Sequence, residues 1–254
     1  TLKSNDLNKI PVNDIEFIDR YEIWYATFGQ GLFLQDLGTI QNFDKNDGFK
    51  SGGMVFDMVN WKGKTYIATK NGLFVFSDGN ISKHYKKEQG LPSNIILDMD
   101  TYDGLDFIWL ATSNGISKFD GTSFINYSKN LGLPAKLVTA IHVDRIKSNT
   151  VWTGSEKSGL TRFDDNGFFN FATQDGLPTN SIRDIAQSKN GDLIIACYNA
   201  GVVKYDGKTF KLFNNGLADK RVILVTNGPD GSIWAGTESA GVGVLNDDQF
   251  KMVI

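Results

Sequence analysis

Cysteine is almost missing from this chain of 254 residues. With Cys197 alone, no internal disulfide can form, so cysteine usage selects no redox compartment. Histidine occurs only at His84 and His142, and there is no Cys/His zinc pattern, EF-hand spacing, Walker loop, GxSxG elbow or HExxH motif. No metal, no cofactor and no catalytic residue is expected, and the chain reads as leaning away from an enzyme. No apolar run approaches the roughly 18 residues of a membrane helix and no charged-then-apolar leader is visible, so no membrane insertion of this segment is expected. Charge of one sign is scarce too. The 26 basic and 29 acidic residues give a net charge of −3, which provides no electrostatic footprint for nucleic acid or an anionic lipid surface. The first residue is Thr1 rather than Met, which points to a processed or excised chain.

Against these absences stand 27 glycines with only 5 prolines, and 41% hydrophobic residues with 12% aromatics. That balance is enough for a core and asks for many tight turns rather than a disordered linker. The turns recur. GLPSN at 90–94 returns as GLPAK at 132–136, GLPTN at 176–180 and, loosened, GLADK at 216–220. Glycine allows positive φ, proline locks φ and removes a donor, and the Asn or Ser that follows can bond its own backbone.

A longer phrase repeats with them: EIWYATFGQG at 22–31, KTYIATKNG at 64–72, FIWLATSNG at 107–115, TVWTGSEKSG at 150–159, LIIACYNAG at 193–201 and SIWAGTESAG at 232–241. The closing glycines Gly31, Gly72, Gly115, Gly159, Gly201 and Gly241 are spaced about 40 to 44 residues apart. Each unit carries four runs of strand length: an apolar run, the Trp-containing run, a third run after the glycine, and an aromatic-rich fourth such as FINY at 124–127. Asp-Gly and Asp-Asp turns at 120–123, 164–167 and 206–209 read as hairpin links between third and fourth strands. Four strands per unit at this period predict an all-β fold, a six-bladed β-propeller of four-stranded antiparallel blades. The expected organisation is one domain over 1–254, with blades near 10–50, 51–92, 93–134, 135–178, 179–218 and 219–254. Excision from a longer array of the same repeats is the alternative.

Columns of the repeat explain the packing. Trp24, Tyr66, Trp109, Trp152, Ile194 and Trp234 fill one position, and Ala26, Ala68, Ala111, Gly154, Ala196 and Gly236 stand two residues later. Residues i and i+2 share a strand face, so a bump sits beside a hollow that a neighbouring blade can fill. The next column, Thr27, Thr69, Thr112, Ser155, Cys197 and Thr237, is small and mostly hydroxylated, which suits backbone bonding in the turn. Cys197 reads there as a buried threonine substitute and not a nucleophile.

With W-x-[AG]-T, F-D-G and G-L-P-x-N in view, the chain resembles the two-component regulator propeller repeat over residues 10–254, best over 95–216. That repeat belongs to extracytoplasmic sensor regions of bacterial hybrid two-component systems, where tandem arrays form β-propellers. The resemblance implies a non-enzymatic ligand-binding or sensor propeller in a periplasmic or cell-surface setting. The immunoglobulin-like, membrane-spanning and signalling segments of the long sensors do not follow within these residues.

In a four-strand blade the loop leading into the first strand and the second-to-third loop share one face. Loop positions that differ between repeats are the candidates there, since repetition is explained by the fold and deviation needs another reason. They are Phe28, Gln30, Lys70, Asn71, Asn114, Glu156, Lys157, Tyr198, Asn199 and Glu238 from the second-to-third loops, and Lys136, Arg183, Lys220 and Arg221 from the lead-in loops. Mixed amides, charges and aromatics suit a saccharide or peptide ligand, with a protein partner as the alternative. A glycan lyase or hydrolase would need a base, and His142 ends a first strand on the other side. His84 is expected at an exposed outer edge. Asp57, Asp98 and Asp184 share a first-strand column, with Phe17, Ala140 and Leu224 elsewhere, and backbone bonding is expected of them rather than cation binding.

Overall fold

The computed structural model describes residues 11–18, 22–37, 39–43, 53–228 and 230–253. The stretch TLKSND at 1–6 and all of GFKSGG at 48–53 except Gly53 lie outside the described residues. Twenty-four strands form six four-stranded sheets, each antiparallel and each in simple chain order. The chain is an all-β, six-bladed β-propeller, and helical structure among the described residues is confined to three short 3-10 turns. By contact the chain divides into two compact units, residues 1–126 and 127–254. Blades 1 to 3 make the first and blades 4 to 6 the second, apart from Tyr127, which ends the fourth strand of blade 3.

Inside each unit the first strands pack side by side. In unit 1 these are Val12–Phe17, Val55–Trp61 and Ile96–Asp100, and in unit 2 Val138–Val143, Ile182–Gln187 and Val222–Asn227. The bump and hollow lie between blades. Trp24 packs edge-on against Phe76 of blade 2 at 4.7 Å, and Trp152 against Tyr205 of blade 5 at 5.9 Å. Gly154 gives the clearest hollow: a Cβ placed there would stand 2.5 Å from Cγ2 of Ile182, the fully buried first-strand residue of blade 5.

The repeated turn now has its explanation. Residues 87–89, 129–131 and 173–175 form 3-10 turns ended by Gly90, Gly132 and Gly176, each in the left-handed region. The following Leu91, Leu133 and Leu177 are each at most 3% exposed, and Leu91 packs between blades 2 and 3 as Leu177 does between blades 4 and 5. The Asn that closes the phrase works backwards: Asn94 Oδ1 accepts from Lys87 N at 2.8 Å, and Asn180 Oδ1 from Thr173 N at 2.9 Å. Their carbonyls accept from Gly72 N and Gly159 N of the preceding blade. The hydroxyl column behaves as read, with Thr27, Thr69, Thr112 and Thr237 donating Oγ1 hydrogen bonds of 2.6 to 2.8 Å to the carbonyls of their closing glycines. Cys197 is fully buried, and burial pushes its thiol up to about 12, which keeps it protonated and inert.

The first-strand column needs one correction. Asp14, not Phe17, is the blade 1 member: it pairs with Ala26 as Asp57 pairs with Ala68 and Asp184 with Ala196. A bulge at the equivalent point sets the same register in all six blades, and Asp14 follows it as Asp57 and Asp184 do in theirs. These carboxyls stitch blade to blade. Asp14 accepts from Met58 N at 3.0 Å, Asp57 from Met99 N at 2.6 Å and Asp184 from Val225 N at 2.7 Å. Among the described residues no group of three His, Cys, Asp or Glu could hold a metal ion. Burial, then repulsion from Asp14 and Asp98, holds the Asp57 carboxyl well above the usual range, and burial raises Asp14, which hydrogen-bonds it.

Two outcomes are expected. Gly154→Ala should lose about 1–3 kcal/mol in urea unfolding by forcing Ile182 out of its seat, whereas Gly236→Ala, whose added Cβ meets nothing closer than 3.5 Å, should stay near wild type. Because the folded chain holds the Asp57 proton more tightly than the unfolded chain, stability from this group is full below about pH 4 and falls as pH rises through the folded value. Asp57→Asn should therefore flatten the fall in unfolding free energy above about pH 4.

Candidate functional site

Backbone bonds bring the two loop classes to one end of each unit. Ser113 N reaches Ile95 O in unit 1, while in unit 2 Tyr198 N reaches Ser181 O and Glu238 N reaches Arg221 O. What the two units do with that end differs.

In unit 1 the candidates are absorbed by the turns. Asn71 and Asn114 bond their backbone N–H groups to the hydroxyls of Thr69 and Thr112, and Asn114 Nδ2 donates to Pro92 O at 3.2 Å. The Asn71 carbonyl lies 2.7 Å from Nε2 of His84, whose ring stacks on Phe74 at 3.7 Å. His84 is thus half-buried instead of exposed, because strand pairing sets it opposite Phe74, and burial lowers its pKa. Phe28 is 53% exposed and bridges to Met54 through its backbone; Gln30 and Lys70 are exposed. The structure draws none of these five into a common side-chain cluster.

Unit 2 assembles one. Arg221 grips Asp219 with two parallel bonds, Nε to Oδ1 at 3.0 Å and Nη2 to Oδ2 at 2.7 Å, and its Nη1 pairs with Glu238. Ser239 Oγ joins both Arg221 Nη2 and Asp219 Oδ2 at 2.8 Å. Tyr198 OH donates to the Glu238 carboxylate, 3.0 Å from either oxygen. The Tyr198 ring carries the Arg183 guanidinium at 4.6 Å from its centroid, and Arg183 reaches Glu156 of blade 4 in a loose pair of 3.7 Å. A continuous polar chain therefore crosses blades 4, 5 and 6. Glu156, Arg183, Tyr198, Arg221 and Glu238 were expected from the sequence. Asp219 and Ser239 were missed, although Asp219 departs from Ser93, Ala135 and Thr179 at its place in the repeated phrase, the same signal that marked the others. Lys136, Lys157, Asn199 and Lys220 are exposed on the same loops, and Asn199 sits at φ 64 in a tight turn.

The electrostatics split the two arginines. The bonds from Arg221, then its backbone N–H and the Ser239 hydroxyl, hold the Asp219 carboxyl well below the usual range, and Asp219 raises Arg221 in return. Exposed pairs of this kind contribute little to stability. Their effect is positional: Arg221 commits four of its five N–H donors and holds Glu238, which in turn fixes Tyr198. Arg183, with a stacking contact and one long pair, keeps donor capacity for an acceptor from outside. His142 is buried, 8% exposed, at the far end of its strand, away from this cluster.

No protein-family model matches the chain, and no curated protein matches it. Solved structures do. The extracellular domain of BT3049 from B. thetaiotaomicron, put forward as a hybrid two-component system, is similar at TM-score 0.80 and 20% identity, over 96% of this chain and 34% of that one. The extracellular domain of BT4673 from the same organism, put forward as a one-component system, gives TM-score 0.58 at 19% identity over 93% of this chain and 38% of its own. An ancestral GH74 enzyme gives 0.70 at 16% identity over 96% and 38%. The chain spans only 34% and 38% of the two extracellular domains, and likeness at this identity shows the fold alone. Among the described residues no helix is long and apolar enough to cross a membrane.

The depressed Asp219 carboxyl yields a sign-definite expectation. Its contribution to folding is present above the unfolded value near about 4 and is lost only as pH falls through the lower folded value. A carboxyl-detected NMR titration should find Asp219 still ionised at about pH 3, and Arg221→Ala should return its midpoint towards about 3.9.

Proposed function

We propose that this chain is a non-enzymatic ligand-binding propeller of an extracytoplasmic bacterial sensor, and that it recognises a saccharide or another polar, acceptor-rich ligand at the loop end of unit 2. The observation that carries the reading is the Arg183–Tyr198 stack. Arg183 is held in place by an aromatic ring that Glu238 and Arg221 immobilise from the next blade, yet its only ion pair among the described residues is 3.7 Å long. A prepositioned, underused guanidinium beside a phenol ring is a receptor for hydroxyls and carboxylates, which accept its planar fork of donors. Five cationic side chains on these loops, Lys136, Lys157, Arg183, Lys220 and Arg221, face three carboxylates, Glu156, Asp219 and Glu238, on a chain that is acidic as a whole. The extracellular domains among the structural neighbours and the repeat resemblance support the sensor setting. The glycan hydrolase alternative has only the fold likeness to a GH74 enzyme behind it, and fold does not carry activity.

Calorimetric titration with acidic and neutral oligosaccharides and short acidic peptides tests this. A saturable ligand should emerge whose affinity drops at least about tenfold in Arg183→Ala and in Lys157→Ala, with thermal unfolding of the free variants unchanged. Binding indifferent to both substitutions would remove the site from unit 2.

A further inference from the structure

A cavity lies elsewhere, in unit 1, at the end opposite that unit's own second-to-third loops. It measures about 650 Å³ and is formed where the turn between the first and second strands of blade 2, residues 61–64, faces the link 101–107 of blade 3. That volume lies within the range of small-molecule sites. One wall is aromatic: Tyr102, which is 37% exposed, and the margin of Trp61, which is only 6% exposed with Lys62 lying over its ring and whose Nε1 donates a 2.8 Å bond to Leu105 O. The remaining charged lining is Glu16, Asp100, Asp103 and Asp106 against the single cation Lys62.

Lys62 shows what chemistry this wall accommodates. Its ammonium lies 4.5 Å from the Trp61 ring centroid and 3.0 Å from Asp106 Oδ1, so the chain seats a primary amine of its own between an indole face and a carboxylate. The pair is open to water, with the two side chains 53% and 89% exposed, and so holds Lys62 only weakly. The cavity is far larger than one ammonium needs, and the absence of a converging three-ligand group among the described residues argues for a ligand of organic size instead of a bare cation.

From this geometry we infer that the cavity between blades 2 and 3 is a binding site for a small organic cation, a primary amine carried on a polyamine or an amino sugar. The amine takes a place on the aromatic wall now shared with Lys62, and Asp103 and Asp106 supply the counter-charge. The site shares no residue with the loop end of unit 2, so it stands or falls independently of the function proposed there.

Isothermal titration of the whole chain at low salt with spermidine, glucosamine and N-acetylglucosamine decides it. Spermidine, glucosamine or both should bind saturably, and which of them does assigns the source of the amine; N-acetylglucosamine, the same ring without the charge, should bind at least about tenfold more weakly. Asp103→Asn combined with Asp106→Asn should weaken binding at least about tenfold, and Lys62→Ala, which vacates the indole face, should tighten it about threefold. Absence of saturable binding by either amine, equal affinity for the neutral sugar, or a weakened Lys62→Ala variant would overturn the inference. Because Lys62 is exposed, its substitution leaves the fold intact even where the double variant does not.

Discussion

Everything in this chain rests on the seam between consecutive blades. A four-stranded sheet cannot stand alone in water with both faces apolar, and here each blade presents a large side chain next to a missing one. The Ile182 methyl group occupies the volume in which a Cβ of Gly154 would lie. Packing at crystal density makes that seat intolerant of extra volume, which fixes how blade 5 sits on blade 4. Within the units, Leu91 and Leu177 of the repeated turn pack into the seams between blades 2 and 3 and between blades 4 and 5.

Hydrogen bonds reinforce the seam where apolar packing cannot. First strands of neighbouring blades lie side by side without pairing as a ladder, which would leave the N–H groups of Met58, Met99 and Val225 unsatisfied. Asp14, Asp57 and Asp184 accept from them instead. A row of carboxyls in the interior is therefore a structural device, and its cost is visible in the raised titration of Asp57 and Asp14. The acidic column and the glycine-rich turns belong to the scaffold, and recognition falls to side chains that the repeat does not specify.

The two units spend that freedom differently. In unit 1 the backbone N–H groups of Asn71 and Asn114 bond to the hydroxyls of their turns while Phe28, Gln30 and Lys70 stay exposed, and an open volume lies at the opposite end between blades 2 and 3. In unit 2 the loop end carries a polar chain that runs from Glu156 to Ser239 across three blades. Arg221 works inside that chain as a brace, because four of its five N–H donors are consumed by Asp219, Glu238 and Ser239, and Arg183 stands on the ring that the brace holds still.

Period, strand content and blade fold were legible in the sequence because they are local: turn chemistry at Gly90 and its equivalents, alternation on each strand, and the Trp–Ala column repeat within every unit. The loop end was legible as a list of deviating positions, and five of these proved to be joined. Which five was decided by tertiary structure, since Glu156, Arg183 and Glu238 are far apart in the chain and meet only because blades stack. The same holds for the pairing register that puts Asp14 rather than Phe17 in the carboxyl column, for the stacking that half-buries His84, and for the cavity beside Trp61. Each depends on what a neighbouring strand or blade places opposite, and a distance through space between residues some 40 positions apart is written in no single repeat.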